Sequence, residues 1–320
     1  MKNCVICGTL NLEENNYCTH CGCFIVLENI CPFCGMINPD SNSTCIKCHK
    51  QITPIVIDSF DMLFSEDNRD LIINSNLSDE EYVNILIDIF SKLDFLVIAG
   101  STPKEKVLEM ANAFTRCIPK SSGFALGETS QDIILYDDRL DDSIQIATII
   151  HELAHYLLFD LVNRMLCNIL KVKSSSAIKD FVDFFLTSPE IEVLNEYYAH
   201  TVENRFIPHE FQNFGSFKYC VNNLSLNSDE VDLLKLIANS YAVDIIHFLE
   251  KYIDEDLRNS IKIQYKKDLK TPSKLEYYSF EGLLSISEKN EYLLSLLISH
   301  FDVLYTNEEV RNEVEYKNKF

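Results

Sequence analysis

Four Cys-x-x-Cys pairs crowd the first 48 residues: Cys4/Cys7, Cys18/Cys21, Cys31/Cys34 and Cys45/Cys48. Ten residues separate Cys7 from Cys18, and ten separate Cys34 from Cys45. The second half repeats the first at a shift of 27 residues, so all eight thiols belong to one internal duplication. Two residues between cysteines make a turn that aims both sulfurs at one ion. Two such turns close a four-thiolate site with no position left for water. Gly8, Gly22 and Gly35 directly follow three of the pairs, where positive φ is easiest. A unit of roughly 20 residues cannot bury enough surface to fold alone, so the ion must supply the folding energy. The N-terminus carries no long apolar stretch of the signal-peptide kind, and such cysteines then read as metal ligands rather than disulfides. The expectation is two structural zinc ions on eight cysteines. The other four (Cys23, Cys117, Cys167 and Cys220) fall in no motif and read as small apolar residues.

Residues 1–50 resemble the double zinc ribbon family, which implies an adaptor or recognition module. Its own charges are Lys2, Lys47 and Lys50 against Glu13, Glu14, Glu28 and Asp40, and the thiolate sites add more negative charge. A ribbon that binds nucleic acid carries a basic face, so a protein partner is expected. His20 and His49, beside ligand cysteines, read as exposed loop histidines. The whole chain has a formal net charge of -21, which disfavours both nucleic acid and anionic membranes. No apolar run approaches the ~18 residues needed to span a bilayer. The expectation is a soluble, cytoplasmic protein.

Hydrophobic residues make up 47% of the 320, enough for a sizeable core, and the length suggests about two domains. Gln51 to Asp58 reads as a link or short strand, and 59–77 is acidic and poorly periodic. Residues 51–77 are therefore expected to be a linker. Ser78 with Glu81, and Thr102 with Pro103 and Glu105, are capping-box patterns. They predict helices to about Val97 and about Cys117. Gly-Phe-Ala-Leu-Gly (123–127) comes next, and Asp-Ile-Ile-Leu-Tyr-Asp (132–137), rich in Ile and Tyr between polar turns, reads as a short strand. Long helices follow over about 143–170, from Pro189 to about Phe206, and from Ser228 to about Ile253. Residues 254–320 are helical in pattern. The class is α+β, mostly helical, with a small sheet. The expected division is ribbons at 1–50, a core at 78–210 and a helical C-terminal region at 211–320.

Residues 151–155 are His-Glu-Leu-Ala-His, inside a strongly helical run. On a helix, i and i+4 share a face, so His151 and His155 can reach one ion. Glu152 lies one step from the first ligand, at the edge of the site, where it can hold a water without ligating. The competing reading is a buried hydrogen-bonded cluster, and burying three such groups without an ion is costly. A catalytic zinc needs a third protein ligand and one open position. Glu192, Glu196, His200 and Glu203 form one polar stripe downstream, with Ala199 one turn beyond Glu196. Glu196 is the chosen third ligand, with His200 and Glu192 as rivals. His200 fits better as a group that orients a ligand.

These elements resemble the ImmA/IrrE type of gluzincin metallopeptidase over about 120–210. The matching pieces are the Gly-Phe-Ala strand (123–125), Ile-Ile-Leu-Tyr (133–136), the Arg-Leu-Asp-Asp turn (139–142), the His-Glu-Leu-Ala-His helix, and Glu196-x-x-Ala199 running to Pro208. The resemblance implies a zincin-like fold with zinc on His151, His155 and Glu196 and Glu152 as general base. It implies endopeptidase cleavage of a protein substrate such as a regulator. It also implies that the strand at 132–136 borders the cleft and can receive an extended substrate. The interval from His155 to Glu196 has room for an extra helix around 177–186. Oxyanion candidates are Tyr197, Tyr198, His200, His209 and Tyr219, with no choice among them. The alternative is a zinc-ribbon adaptor whose helical domain holds a structural, non-catalytic zinc.

Overall fold

A computed structural model of the chain describes residues 2–3, 10–11, 47, 55–94, 96–120, 127–130, 133–269 and 282–317. The eight motif cysteines (Cys4, Cys7, Cys18, Cys21, Cys31, Cys34, Cys45 and Cys48) lie outside the described residues, as do Cys23, His20, His49 and the 123–125 stretch. The chain forms two compact units, Met1–Val56 with Lys171–Lys173, and Ile57–Leu170 with Ser174–Phe320. In the first, β1 (Lys2–Asn3) pairs antiparallel with β2 (Leu10–Asn11). There too, β3 (Ile55–Val56) pairs in parallel with Val172–Lys173, which come later in the chain.

The second unit begins inside the expected linker, which is therefore corrected. Helix α1 (Phe60–Leu63) is capped by Ser59 Oγ, which accepts from Met62 N at 3.3 Å. Helix α2 (Glu66–Ile73) is capped in the same way by Ser65 and Asn68 N. Phe60, Leu63, Phe64, Ile72 and Leu77 are buried. The i, i+3, i+4 spacing of the first three is one turn long, too short to stand out among the surrounding acids. Phe64 packs in a ring cluster with Phe181 and Phe301, at centroid distances of 5.6 and 4.8 Å. Arg69 adds a forked pair to Asp302 at 2.7 and 3.2 Å.

Both capping boxes are present. Ser78 and Glu81 start α3 (Asp79–Phe90), and Thr102 and Glu105 start α4 (Pro103–Asn112). Both helices stop earlier than the sequence suggests. The first gives way to a 3-10 turn at Ser91–Leu93. After the second, Asn112 Oδ1 accepts from Cys117 N at 2.9 Å, and the chain turns into β4 (Arg116–Pro119). The sheet has the order β4-β6-β5, with β5 (Gly127–Ser130) antiparallel and β4 parallel to β6 (Ile133–Tyr136). Strand β4 has no counterpart in the sequence reading, because Arg-Cys-Ile-Pro looks like the tail of a helix.

Helix α5 (Asp142–Leu170) runs 29 residues and is apolar on most sides. A helix of that kind is buried, and Ile146, Ile149, Ile150, Leu153, Leu157, Leu158 and Leu161 are fully so. Each such side chain contributes roughly 1.5–3 kcal/mol by leaving water. Its N-terminus is anchored by Asp268, whose Oδ2 accepts from Ser143 N at 3.0 Å. Beyond β7 (Val172–Lys173) comes α6 (Ser176–Leu186), the extra helix that the long interval allows. Then follow α7 (Pro189–Phe206), α8 (Gly215–Asn223), α9 (Ser228–Leu249), α10 (Glu255–Asp268), α11 (Ile286–Thr306) and α12 (Glu308–Lys317). Helix α7 packs on both α5 and α9, and Ala199 on it is fully buried. Lys289 on α11 is 2% exposed. It is ion-paired with Asp244 of α9, and its ammonium lies over Tyr82 and Tyr241 at 4.7 and 5.1 Å.

The class is α+β, mostly helical, with a small sheet. Among the described residues, no helix is long and apolar enough to cross a membrane. The expected boundary at 210 does not appear. Residues after it belong to the same unit as the core and line the same cleft.

Candidate metal centre and its cleft

The middle of α5 and the middle of α7 face each other across a cleft of about 800 Å³. His151, Glu152 and His155 come from the first helix; Asn195, Glu196, His200 and Glu203 come from the second. The one-turn offset brings His151 Nε2 and His155 Nε2 to 3.1 Å. Glu196 reaches both: Oε2 lies 3.5 Å from His151 Nε2, and Oε1 lies 3.6 Å from His155 Nε2. Zinc bonds of 2.0–2.1 Å at tetrahedral angles place neighbouring donors about 3.3 Å apart. The three observed edges bracket that value.

The outer ring nitrogens explain why the inner ones converge. Asn195 Oδ1 and a carboxylate can only accept. His155 Nδ1 therefore donates to Asn195 Oδ1 at 2.8 Å, and His151 Nδ1 donates to Glu203 Oε2 at 3.1 Å. Each Nε2 is left with its lone pair turned towards the other. Such a pair of lone pairs needs a cation between them, and fixed outer bonds of this kind orient histidine ligands. The electrostatics show the same want of positive charge between these groups, which a proton on His151 can meet in place of an ion. Burial opposes a proton on His151, yet bonds to Glu196 and Glu203 outweigh it and raise its pKa well above the imidazole range. Burial also works against ionised Glu203, but its bonds to His151 and His200 bring it down to about 2. Glu196 is lowered too, with burial overcome by the bond to His151 and the charges of both histidines.

His200 is the geometric rival, since its ligand atom lies within 4.8 Å of those of His151 and Glu196. Both its nitrogens are engaged, however. Nδ1 meets Glu203 Oε2 at 3.1 Å, and Nε2 meets Ser216 Oγ at 2.7 Å. Ser216 in turn donates to Glu196 Oε2. His200 thus touches Glu196 through Ser216, and His155 is the better third partner. Glu192, the other rival, hydrogen-bonds Cys220, and burial and the Glu196 charge raise its pKa.

Glu152 lies beside this group on the cleft wall, 9% exposed. Thr129 Oγ1, from β5, sits 2.5 Å from its Oε2. Strand β5 can come this close because residue 127 is glycine. A Cβ there would lie 2.5 Å from Thr148 Cγ2 and 2.6 Å from Glu152 Oε1. Gly127→Ala is expected to force Glu152 and β5 apart and lower the thermal midpoint of the helical unit; a midpoint equal to that of the wild type would refute the tight contact.

All four residues of β5 line the cleft, and none of β6 does. Strand β6 is paired on both sides, so it has no free edge. The expectation that 132–136 borders the cleft is corrected: among the described residues, the strand that lines it is β5. Of the oxyanion candidates, Tyr197 and Tyr198 are core residues at 2% and 0% exposure, and Tyr219 is exposed. Neither they nor His209 are among the described lining residues. Burial pushes the Cys117, Cys167 and Cys220 thiols up to about 12, 11 and 12, so none is a ready thiolate.

The sequence reading passed over Thr129, Gly127, Asn195 and Ser216. Asn195 could have been found, since it lies one turn and one step from Ala199 on the helix already singled out. Thr129 and Ser216 come from other elements and leave no local signal. Comparison with protein-family models, curated proteins and solved structures finds no match.

Proposed function

We propose that the chain is a zinc-dependent endopeptidase of the His-Glu-x-x-His type, similar in its site to ImmA/IrrE metallopeptidases and carrying two N-terminal zinc ribbons. The supporting observation is the triangle of His151 Nε2, His155 Nε2 and the Glu196 carboxylate, open to a cleft that also holds Glu152. These three donors suit zinc in number, type and spacing. When bound, zinc supplies a Lewis acid that polarises a carbonyl oxygen and acidifies water.

The chain's own residues do the rest. Glu152 takes a proton from the attacking water as the C–O bond forms, and delivers it to the amine nitrogen as the C–N bond breaks. Thr129 fixes the Glu152 carboxylate. Asn195 and Glu203 hold the two imidazoles in their ligating tautomers. The β5 edge receives an extended substrate by main-chain hydrogen bonds. The substrate is a protein, such as a regulator, and the ribbons serve to dock a protein partner.

A purely structural zinc would want a fourth protein donor. The other histidine beside the group, His200, is already bonded at both ring positions. This favours an open coordination position over the adaptor reading. The test is metal analysis of the full chain. Glu196→Ala and His155→Ala should each lose the one zinc that is not held by cysteine, and with it hydrolysis of a peptide library. Full zinc content in both variants would overturn the ligand set.

A further inference from the structure

We infer that His200 is a positioning residue that closes a ring of polar contacts through Glu203, His151, Glu196 and Ser216, and so couples two of the zinc ligands without ligating the ion. The inference rests on the metal reading of the site and adds how the affinity of that site is set.

His200 is 5% exposed and lies against the ring of His151, at a centroid distance of 4.6 Å, and that of Phe214, at 5.5 Å. One oxygen, Glu203 Oε2, lies 3.1 Å from both His200 Nδ1 and His151 Nδ1. His200 Nε2 meets Ser216 Oγ at 2.7 Å, and Ser216 donates to Glu196 Oε2. That carboxylate oxygen stands 3.5 Å from His151 Nε2, which closes the circuit across the place proposed for the ion. The path leaves one ligand at His151 Nδ1 and returns at another, Glu196 Oε2. His155, the third ligand, is held separately by Asn195 and stands outside the ring.

The turn after α7 is built to bring Ser216 into this ring. Asn204 Oδ1 accepts from Asn213 N at 3.2 Å, and Asn204 Nδ2 donates to Asn213 O at 2.8 Å. Asn213 Oδ1 accepts from Gly215 N at 3.1 Å, where α8 begins, with Ser216 in its first turn. Each member of the ring touches two others, so displacing one disturbs the support of the next. The rival arrangement, with His200 as a ligand, gives the opposite sign. Removing the Ser216 hydroxyl would then free His200 Nε2 for the ion and strengthen binding. In the ring, the same removal unties Glu196 and weakens binding.

The test uses the full chain, with free zinc set by a chelator buffer and bound zinc counted by metal analysis. His155→Ala gives the count that belongs to the cysteine sites. His200 is buried, so the ring is opened at its neighbours instead. Ser216→Ala should weaken binding of the remaining zinc about tenfold, and Glu203→Gln about as much. Ser216→Thr keeps the hydroxyl and should restore most of the loss. Ser216→Ala with Glu203→Gln should lose about as much as the weaker single variant, because either one already opens the ring. Circular dichroism should be unchanged in all four. Binding by Ser216→Ala as tight as the wild type or tighter, a threonine variant as weak as the alanine one, or losses that multiply in the pair would overturn the inference and leave the metal reading standing. A wild type with no zinc beyond the cysteine count would overturn both.

Discussion

Glu152→Gln is expected to slow peptide hydrolysis by about 10²–10⁴-fold while zinc content and fold stay as they are. The substitution keeps the size of the side chain and an oxygen for Thr129 to donate to, so the wall between β5 and α5 is preserved. What it removes is the ability to take a proton. The His151, His155 and Glu196 contacts do not pass through Glu152, so the ion should stay in place. The decisive measurement is kcat at saturating zinc, with metal analysis on the same sample. A variant that keeps its zinc and its rate would remove Glu152 from the chemistry. A variant that loses its zinc would show that Glu152 holds the ion, and the roles would have to be redrawn.

Lys289→Ala should destabilise the helical unit by about 3–5 kcal/mol, the largest effect expected away from the cleft. Lys289 is 2% exposed and joins three helices through few atoms. It pairs with Asp244 and donates to Ser240 O at 3.2 Å, while Tyr82 donates to the same Asp244 at 2.6 Å. Burial lowers the Lys289 pKa, opposed by its bond to Asp244 and that charge. Truncation leaves Asp244 with only the Tyr82 hydroxyl and no countercharge, takes a donor from the Ser240 carbonyl, and opens a void between two tyrosine rings. The double replacement Lys289→Met with Asp244→Leu should recover much of the loss, because it removes both charges together. Urea denaturation followed by far-UV circular dichroism measures both, and a single variant with an unchanged midpoint would show that the pair carries no stability.

The parts of this molecule that announce themselves in the sequence are those whose geometry is local. His151, Glu152 and His155 lie within five residues, and the helix alone places the two imidazoles on one face. The capping boxes at Ser78 and Thr102 likewise span three residues each. Glu196 was readable as part of a polar stripe, although the same stripe offered Glu192 and His200. Choosing among them needed the opposite helix and Ser216. Strand order was out of reach. Whether β5 or β6 carries the free edge depends on β4, which pairs in parallel across the sheet and looks like a helix tail. Residues 59–77 misled for a related reason: their apolar contacts are to Phe181 and Phe301, more than a hundred residues away. The C-terminal helices gave no chemical sign, yet Tyr265 and Ser216 line the cleft.

The outer nitrogens of His151 and His155 are tied to Glu203 and Asn195 by the protein itself, on two helices held together by apolar packing. The socket is therefore assembled before any ion arrives. Under the proposed function, zinc scarcity would silence the helical unit without melting it, and renewed supply would restore it with no refolding delay.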